Sequence, residues 1–421
     1  MKILLKEATI QDSSSSHFNQ KRDILIENGR IKSIAKDISA EDTKTISSPD
    51  LRVSQSWVDL KANFCDPGHE YKEDILSGLS AAADGGFGHV HIVPSTDPVV
   101  DGKGQIKYLL SAAAGNIVQL HPIGAITKGL KGESLAEMYD MFGQGVRFFS
   151  DDKNTLNAGI TYRALLYIKN FGGRLVVFPQ NNSMNINGQV NEGLASVKTG
   201  LKALPSVSEQ IQLQRDISLL EYTNSKIHVN GISCAESVEL IRKAKQKGLD
   251  ITCDVHAHQL LFTEEDVLGF DSNFKVYPPY RTADDRIALW KGLRDGTIDV
   301  IVSNHQPQGT EEKELEFDHA EFGNISLQTC FSSLIDYSSS DLQLIVDKFS
   351  IAARKLAELG NKTSIEEGNK ADITLFDPSI SWTFTEDRIL SKSKNSPFLN
   401  KSFQGASIGL IKNGEILMRK I

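Results

Sequence analysis

Histidine and aspartate residues in this chain of 421 residues have spacings that could hold a metal ion. The motif His89-Val-His91 places both imidazole rings on one face of an extended strand. It precedes the expected end of that strand, which favours a role in the core or on the surface over a role in metal binding. His256, His258 and His305 follow apolar segments, and we expect them to line a cleft. Binding of a stray cation by these histidines with Asp151 is the alternative.

Lysine and cysteine side chains at strand ends offer two further kinds of chemistry. A lysine at position 61, inside an apolar segment, is typical of a buried amine paired with an acid. Asp151 and Asp152 are the obvious partners, so we predict a salt bridge between Lys61 and one of them. Cys65 and Cys234 could act as nucleophiles, but no histidine and acid are spaced to activate them. We therefore expect both to be small buried side chains.

The segment from Trp57 to Asp74 shows the type of element that must position these residues. It reads as a buried strand, then a turn at Pro67-Gly68, then a helix that begins near Glu70 and runs to Gly85-Gly86. Strand, turn and helix together form the repeating unit of an α/β barrel.

Eight apolar segments alternate with helix-length amphipathic stretches between residues 54 and 359. We predict strands at Trp57–Ala62, His89–Val93, Gln119–Ile123, Val146–Phe149, Leu175–Phe178, Ile227–Ile232, Ile251–Val255 and Val300–Val302. Ser233-Cys-Ala-Glu236 predicts a capping box at the start of the helix after the sixth strand. Eight strands close a parallel barrel, in which chemistry occurs at the carboxyl ends of the strands. The fold class is therefore α/β, with a TIM-like (β/α)8 barrel.

The two ends of the chain are typical of hairpins instead. Short alternating segments precede residue 53 and are interrupted by Asn28-Gly29, a favoured turn sequence. The same pattern returns near the other terminus, with a second turn at Asn413-Gly414. We predict that residues 1–53 and 360–421 form one small β-sandwich domain beside a barrel of residues 54–359.

Composition excludes several classes of function. The 46 basic and 54 acidic residues give a net charge of −8, which argues against a nucleic-acid partner. No apolar run approaches the roughly 20 residues of a membrane span, and no leader segment is evident. The four cysteines lack Cys-x-x-Cys pairing, which favours a reduced protein of the cytoplasm.

Several short motifs, in order along the chain, carry a resemblance to one family. Asp59, Pro67-Gly68 and Glu70 to Asp74 fit the first barrel strand of the dihydroorotases and related cyclic amidohydrolases. Further matching segments are Asp23 to Ile34, Gly124 to Thr127, Phe149 to Asp152, Ala235 to Arg242, Asp295 to Ile301 and Ser391 to Phe398. The resemblance implies a metal-binding barrel flanked by a small β domain built from both termini.

The resemblance also implies metal ligands, and this chain lacks most of them. Active members hold one or two zinc ions through histidines and carboxylates on barrel strands. The corresponding positions here are Lys61, Asn63, Pro179, Gly231 and Asn304. Only Asp151 and Asp152 retain a carboxylate that could act as a residual ligand. Zinc requires nitrogen, sulfur or carboxylate ligands, so the resemblance leads us to expect no metal and no cofactor.

Catalytic and substrate-binding groups are replaced as well. The position that resembles the family's general base holds Asn304, whose amide cannot take up a proton near neutral pH. The positions that resemble its substrate-carboxylate anchors hold Cys65, Ser95 and Gln308, and Tyr277 replaces an asparagine. None of these side chains supplies the positive charge that a carboxylate prefers. We interpret them, together with His258 and His305, as a vestigial pocket.

These observations predict a dihydroorotase-like protein of pyrimidine biosynthesis that lacks zinc-dependent hydrolysis. By resemblance, it acts as a structural or regulatory partner, for example of aspartate carbamoyltransferase, or forms a homodimer. The alternative is an active dihydroorotase or other cyclic amidohydrolase, which interconverts N-carbamoyl-L-aspartate and dihydroorotate with an atypical zinc site at His258, His305 and Asp151. A third interpretation is a small-molecule binding protein that uses the remodelled pocket.

Overall fold

The structure is a computed structural model that describes residues 2–360 and 363–420. Its strands are β1 Lys2–Ile10, β2 Lys21–Glu27, β3 Arg30–Ala35, β4 Lys44–Ile46, β5 Arg52–Gln55, β6 Trp57–Ala62, β7 Phe87–Ile92, β8 Gln119–Pro122, β9 Phe148–Ser150, β10 Arg174–Val177, β11 Val190–Asn191, β12 Ala203–Leu204, β13 Lys226–Val229, β14 Asp250–His256, β15 Val300–Val302, β16 Ile373–Thr383, β17 Ser402–Lys412 and β18 Glu415–Met418.

The helices mostly follow the strands of the central domain. The α-helices are α1 Ile75–Gly85, α2 Lys103–Ala112, α3 Met138–Gly143, α4 Ala158–Lys169, α5 Leu194–Thr199, α6 Val207–Thr223, α7 Ala235–Gln246, α8 Ala283–Arg294, α9 Thr310–Lys313, α10 Cys330–Tyr337, α11 Leu342–Phe349 and α12 Ile351–Leu356. Short 3₁₀ segments cover Lys128–Leu130, Ala257–Leu260, Glu264–Gly269, Ser272–Phe274, Ser339–Asp341 and Glu386–Arg388. Within the described ranges, no helix is both long and apolar enough to cross a membrane.

The predicted parallel barrel is confirmed. Strands β6, β7 and β8 pair in parallel, as do β9, β10, β13, β14 and β15. Backbone bridges between Gly124 and Phe149 and between Ala62 and His305 join the two groups into a closed ring. The carboxyl ends of all eight strands therefore meet at one mouth.

Two predicted helix starts differ from the structure. Helix α1 begins at Ile75 rather than near Glu70, because Asp74 caps it through a bond from the Ser77 amide. The predicted capping box at Ser233 is wrong, since helix α7 has no capping bond from its own N-cap side chain. A carboxylate oxygen of Asp285 instead accepts a hydrogen bond from the Ala235 amide at 2.9 Å. The start of α8 therefore also caps α7.

Strands from both termini share one sheet, which runs in the order β18-β17-β16-β5-β1-β2-β3, with β4 beside β1. Antiparallel pairing of β16 with β5 joins the carboxyl-terminal strands to the amino-terminal ones. The sheet has a core of its own, built mainly from isoleucine, leucine and valine side chains. The exact boundaries at residues 53 and 360 stay a prediction.

Trp57 lies where this sheet packs against the barrel. Its side chain is fully buried and contacts the rings of Phe331, Phe349 and Phe376, with centroids 4.6 to 5.7 Å away. Phe376 belongs to β16 of the sheet, whereas the other two rings belong to helices of the barrel. Apolar packing of this kind fixes the first barrel strand, which carries Lys61.

Candidate active site

Lys61 occupies the centre of the barrel mouth. Strand β6 places its side chain inside the ring, where it is only 3% exposed. Its amine donates a hydrogen bond to the Asn230 side-chain oxygen and lies 3.9 Å from a carboxylate oxygen of Asp152. The amine also sits 5.2 Å from the centre of the Phe178 ring. Burial lowers the pKa of Lys61, and the nearby carboxylates of Asp152 and Asp254 oppose that shift.

The two neighbouring aspartates have separate roles. Asp152 has a positive φ of 53°, faces Lys61 and accepts a hydrogen bond from the Ser95 hydroxyl at 2.7 Å. Asp151 turns away and accepts bonds from the backbone amides of Ile126 and Thr127 at 2.9 Å each. The predicted salt bridge between Lys61 and one of these aspartates is therefore confirmed, and Asp152 is the partner. Burial raises the pKa of Asp151, although its hydrogen bonds oppose this.

A histidine occupies the space beside Gly231. Gly231 has a φ of +70°, and a Cβ atom there would lie 2.6 Å from Nε2 of His256. The His256 ring is fully buried, and neither of its nitrogens has a hydrogen-bond partner among the described residues. Burial and the Lys61 charge hold the pKa of His256 well below its usual value, so the ring is neutral. The space that a side chain at 231 would occupy is thus filled by a neighbouring ring.

Asn304 and the remaining cleft histidines contact neighbouring protein groups. The Asn304 amide nitrogen lies 3.4 Å from Nε2 of His258, and its side-chain oxygen has no hydrogen-bond partner in the described structure. His305 points elsewhere, because its Nδ1 accepts a bond from the Ser326 amide and its Nε2 lies 3.3 Å from a carboxylate oxygen of Glu73. Both nitrogens of His305 are therefore committed to structural bonds.

The other predicted ligand and anchor positions are also tied into local structure. The Asn63 side-chain oxygen accepts a hydrogen bond from the Cys65 amide at 2.8 Å, which closes a turn. Burial raises the pKa of the Cys65 thiol to about 12, so it stays protonated and unreactive. Pro179 is buried beyond the end of β10 and offers no ligand atom.

Tyr277 and Gln308 contact neighbours at the mouth of the barrel. The Tyr277 hydroxyl accepts a bond from Asn185, and its ring packs 5.2 Å from that of Phe178. The Gln308 side chain accepts a bond from Lys72 at 2.8 Å and donates one to a backbone carbonyl. Neither residue presents a charge toward the barrel centre.

A network around Lys61 was not predicted from the sequence. The Asp254 carboxylate accepts hydrogen bonds from Asn230 at 2.7 Å and from the Gly231 amide at 2.7 Å, and lies 2.9 Å from Nε2 of His228. The sequence did contain a signal for this network. Polar residues two apart along β13 and β14 point to the same face of the sheet, so they could have been expected to lie together. The open volume beside Lys61 is about 20 Å³, room for about one water molecule.

This volume does not support the interpretation of the pocket as a small-molecule site.

The described residues do not contain any group of three or more histidine, cysteine, aspartate or glutamate side chains placed to hold a metal ion. His258, His305 and Asp151, the residues of the hypothetical zinc site, are therefore not brought together as such a group in the described structure. The His89-Val-His91 motif lies in the barrel wall as predicted, where His89 contacts Asp372 and His121.

Comparisons with known proteins place this geometry in a family. The dihydro-orotase-like family profile matches residues 52–237, and the amidohydrolase family profile matches residues 186–417. Dihydroorotase of Geobacter metallireducens is 38% identical, with complete coverage of both chains. Dihydroorotase of Caldicellulosiruptor saccharolyticus is 39% identical over 99% of this chain and 98% of its own.

Solved structures agree on the fold. L-hydantoinase from Arthrobacter aurescens superposes with a TM-score of 0.84 at 21% identity, covering 99% of this chain and 96% of its own. A D-hydantoinase also gives 0.84, at 20% identity, with 100% and 95% coverage. Identity this low supports the barrel architecture alone. Full-length identity to dihydroorotases, the two profile matches and the closed barrel together show that this chain belongs to the dihydroorotase family of the amidohydrolases.

Proposed function

We propose that this dihydroorotase homologue serves pyrimidine biosynthesis without zinc-dependent hydrolysis, as a structural or regulatory partner of another enzyme of the pathway. Aspartate carbamoyltransferase is the partner we propose first, and self-association into a homodimer is the other form of the same role. We propose pyrimidine biosynthesis because the relatives that match the whole chain are named dihydroorotase. The reducing cytoplasm is the proposed location, which agrees with four buried free cysteines.

The observation that carries the proposal is the position of the Lys61 amine. Zinc is the metal that the family implies, and the residues at the ligand positions do not fit it. A lysine ammonium offers three donors and no lone pair, so it repels a cation instead of binding it. Its amine donates a hydrogen bond to Asn230 and lies close to Asp152, one of the two carboxylates that could act as residual ligands.

The remaining ligand positions lead to the same conclusion. Proline and glycine supply no side-chain ligand, and the Asn63 oxygen is occupied by a backbone amide. Metal-bound water has a pKa near 7, compared with about 15.7 for free water, so a site without metal lacks its nucleophile. Asn304, at the general-base position, adds a further loss of about 10²–10⁴-fold in rate.

An active dihydroorotase is the second candidate, and the relatives favour it directly. Eight curated relatives, 34 to 39% identical over essentially the full length, are named dihydroorotase. Activity in this chain would require a set of ligands different from the positions considered above. The two candidates agree on the pathway and differ on turnover.

The deciding experiment measures turnover and metal on one sample. Purified full-length protein is assayed for dihydroorotate hydrolysis and for cyclisation of N-carbamoyl-L-aspartate, with and without added zinc, and bound metal is quantified. We expect no turnover above the buffer rate and no stoichiometric zinc. Activity that rises with about one zinc per chain would establish the second candidate instead.

The partner role has its own test. Tagged protein is isolated from native cells under mild conditions, and aspartate carbamoyltransferase is sought in the eluate by mass spectrometry and by its activity. Sedimentation of the purified chain measures self-association. A monomer that recovers no pyrimidine enzyme would contradict the scaffolding role, whatever the outcome of the zinc assay.

A further inference from the structure

A second cavity lies far from the barrel mouth, between the small sheet and the amino ends of β7 and β8. Its volume is about 490 Å³, well above the space beside Lys61 and within the range of small-molecule sites. The charged or titratable residues that line it are Arg30, His89, Arg354, Lys370, Asp372 and Lys412. Among the described lining residues, two arginines and two lysines thus face one carboxylate.

The inner wall of this cavity holds buried charges that do not balance. Asp372 accepts a hydrogen bond from the Arg354 guanidinium at 2.9 Å, lies 3.0 Å from Nε2 of His89 and is 3.9 Å from the Lys412 amine. All four residues are at most 7% exposed. The single carboxylate of Asp372 therefore faces two basic side chains, Arg354 and Lys412. The Nε atom of Arg354 is buried and has no partner among the described groups.

The rim adds two cations in an unfavourable arrangement. An antiparallel backbone bridge places Arg30 directly opposite Lys370, and both side chains are exposed. Like charges at opposed positions destabilise a sheet unless something neutralises them. In the described part of the chain, neither side chain pairs with an acid. This positive concentration stands out in a protein whose net charge is −8.

We propose that this cavity binds a small multivalent oxyanion, either a phosphate ester or a polycarboxylate. Guanidinium and ammonium groups are the usual donors for such oxygens, and charge-assisted bonds to them are about twice as strong as neutral ones. The ligand neutralises the rim pair and contacts the inner wall. Because the lining comes from both the sheet and the barrel, the bound ligand joins the two and stabilises the folded chain.

The test uses the full-length protein and two simple probes, sodium pyrophosphate and sodium malonate, at constant ionic strength. Affinity is measured by calorimetry, and the thermal midpoint is followed in parallel. The double variant R30A/K370A removes the exposed rim charges and leaves the buried cluster intact. The matched control, K103A/K107A, removes two exposed lysines from helix α2, outside the cavity.

We expect saturable binding of at least one probe by the wild type and by the control, with affinity at least tenfold lower in the rim variant. Tighter binding of pyrophosphate would assign the site to phosphate-containing ligands, and tighter binding of malonate would assign it to polycarboxylates. Equal affinity in all three proteins, or no saturable binding of either probe by the wild type, would overturn the proposal. None of these outcomes depends on whether the barrel binds zinc.

Discussion

Replacing Lys61 by methionine is expected to lower the free energy of unfolding by about 3 kcal/mol at pH 7. At 3.9 Å and an effective dielectric constant of about 20, its attraction to Asp152 is worth about 4 kcal/mol. Methionine keeps the apolar stem and removes the charge, so Asp152 is left with the Ser95 hydroxyl as its remaining bonded partner among the described side chains. Removing the ammonium also removes the cost of burying it, which brings the expected loss below the full attraction.

The reciprocal change is expected to be milder. In D152N the lysine has lost its nearest counter-charge, but the carboxylate of Asp254 still stabilises its charged form. We therefore expect a loss of about 1–2 kcal/mol. The double variant K61M/D152N leaves no unpaired charge at this position. It should lie within about 1 kcal/mol of the wild type, because neutral replacements of buried pairs are often tolerated.

Equilibrium urea denaturation, followed by tryptophan fluorescence, measures all four proteins. The coupling free energy is the double-variant loss minus the sum of the two single losses, and we expect a magnitude of at least about 2 kcal/mol. Comparable m-values show that the same unfolding transition is compared. Strictly additive losses, or a loss below about 1 kcal/mol for K61M, would refute the assignment of Lys61 as the counter-ion of Asp152.

Three further predictions concern backbone strain, burial and capping. Gly231→Ala should lower the free energy of unfolding by about 2 kcal/mol more than Gly248→Ala. Both glycines have a positive φ, but only at 231 would the added Cβ atom lie 2.6 Å from a ring nitrogen. Burial lowers the pKa of Lys313 to about 7 in the folded chain, compared with about 10.5 in the unfolded chain. Between these two pH values the unfolded chain binds more protons, so the free energy of unfolding rises with pH. Lys313→Met should reduce this rise by about 1 kcal/mol per pH unit. Asp285→Ala should cost about 1–2 kcal/mol, and Asp284→Ala, at an exposed site on the same helix, under about 0.5 kcal/mol.

Urea denaturation tests each pair, with the lysine variant measured at pH 7, 8 and 9. Equal losses at the two glycines would mean that the space beside residue 231 opens readily. A difference between wild type and the Lys313 variant that stays constant with pH would contradict the burial of a neutral amine. If both aspartate variants lose the same stability, the cap of helix α7 comes from another group.

The barrel could be predicted from the sequence because each strand is a short apolar segment with a helix-length stretch behind it. The predicted bounds Trp57–Ala62 and Val300–Val302 coincide with the structure. Helix starts were less predictable, because a cap depends on which side chain reaches the free amides. Asp285 caps a helix fifty residues earlier in the chain, and no local pattern signals such a contact.

The sequence identifies the positions that resemble the family's ligand and anchor sites, but it does not show what their side chains contact in this fold. The partner of Lys61 is an example. Asp151 and Asp152 are adjacent and chemically identical, and the backbone decides between them. A left-handed conformation at Asp152 turns one carboxylate toward the lysine, while the other binds amides of a neighbouring loop.

The positions around Lys61 depend on one another for charge balance and packing. Asp152 and Asp254 both face the barrel centre, where uncompensated acids would repel each other. Lys61 supplies the positive charge that these acids need. His256 fills the space beside Gly231, so a histidine introduced at 231 would collide with it. Restoring a ligand therefore requires simultaneous changes in the counter-ion and in the packing, and no single reversion is expected to recover a zinc site.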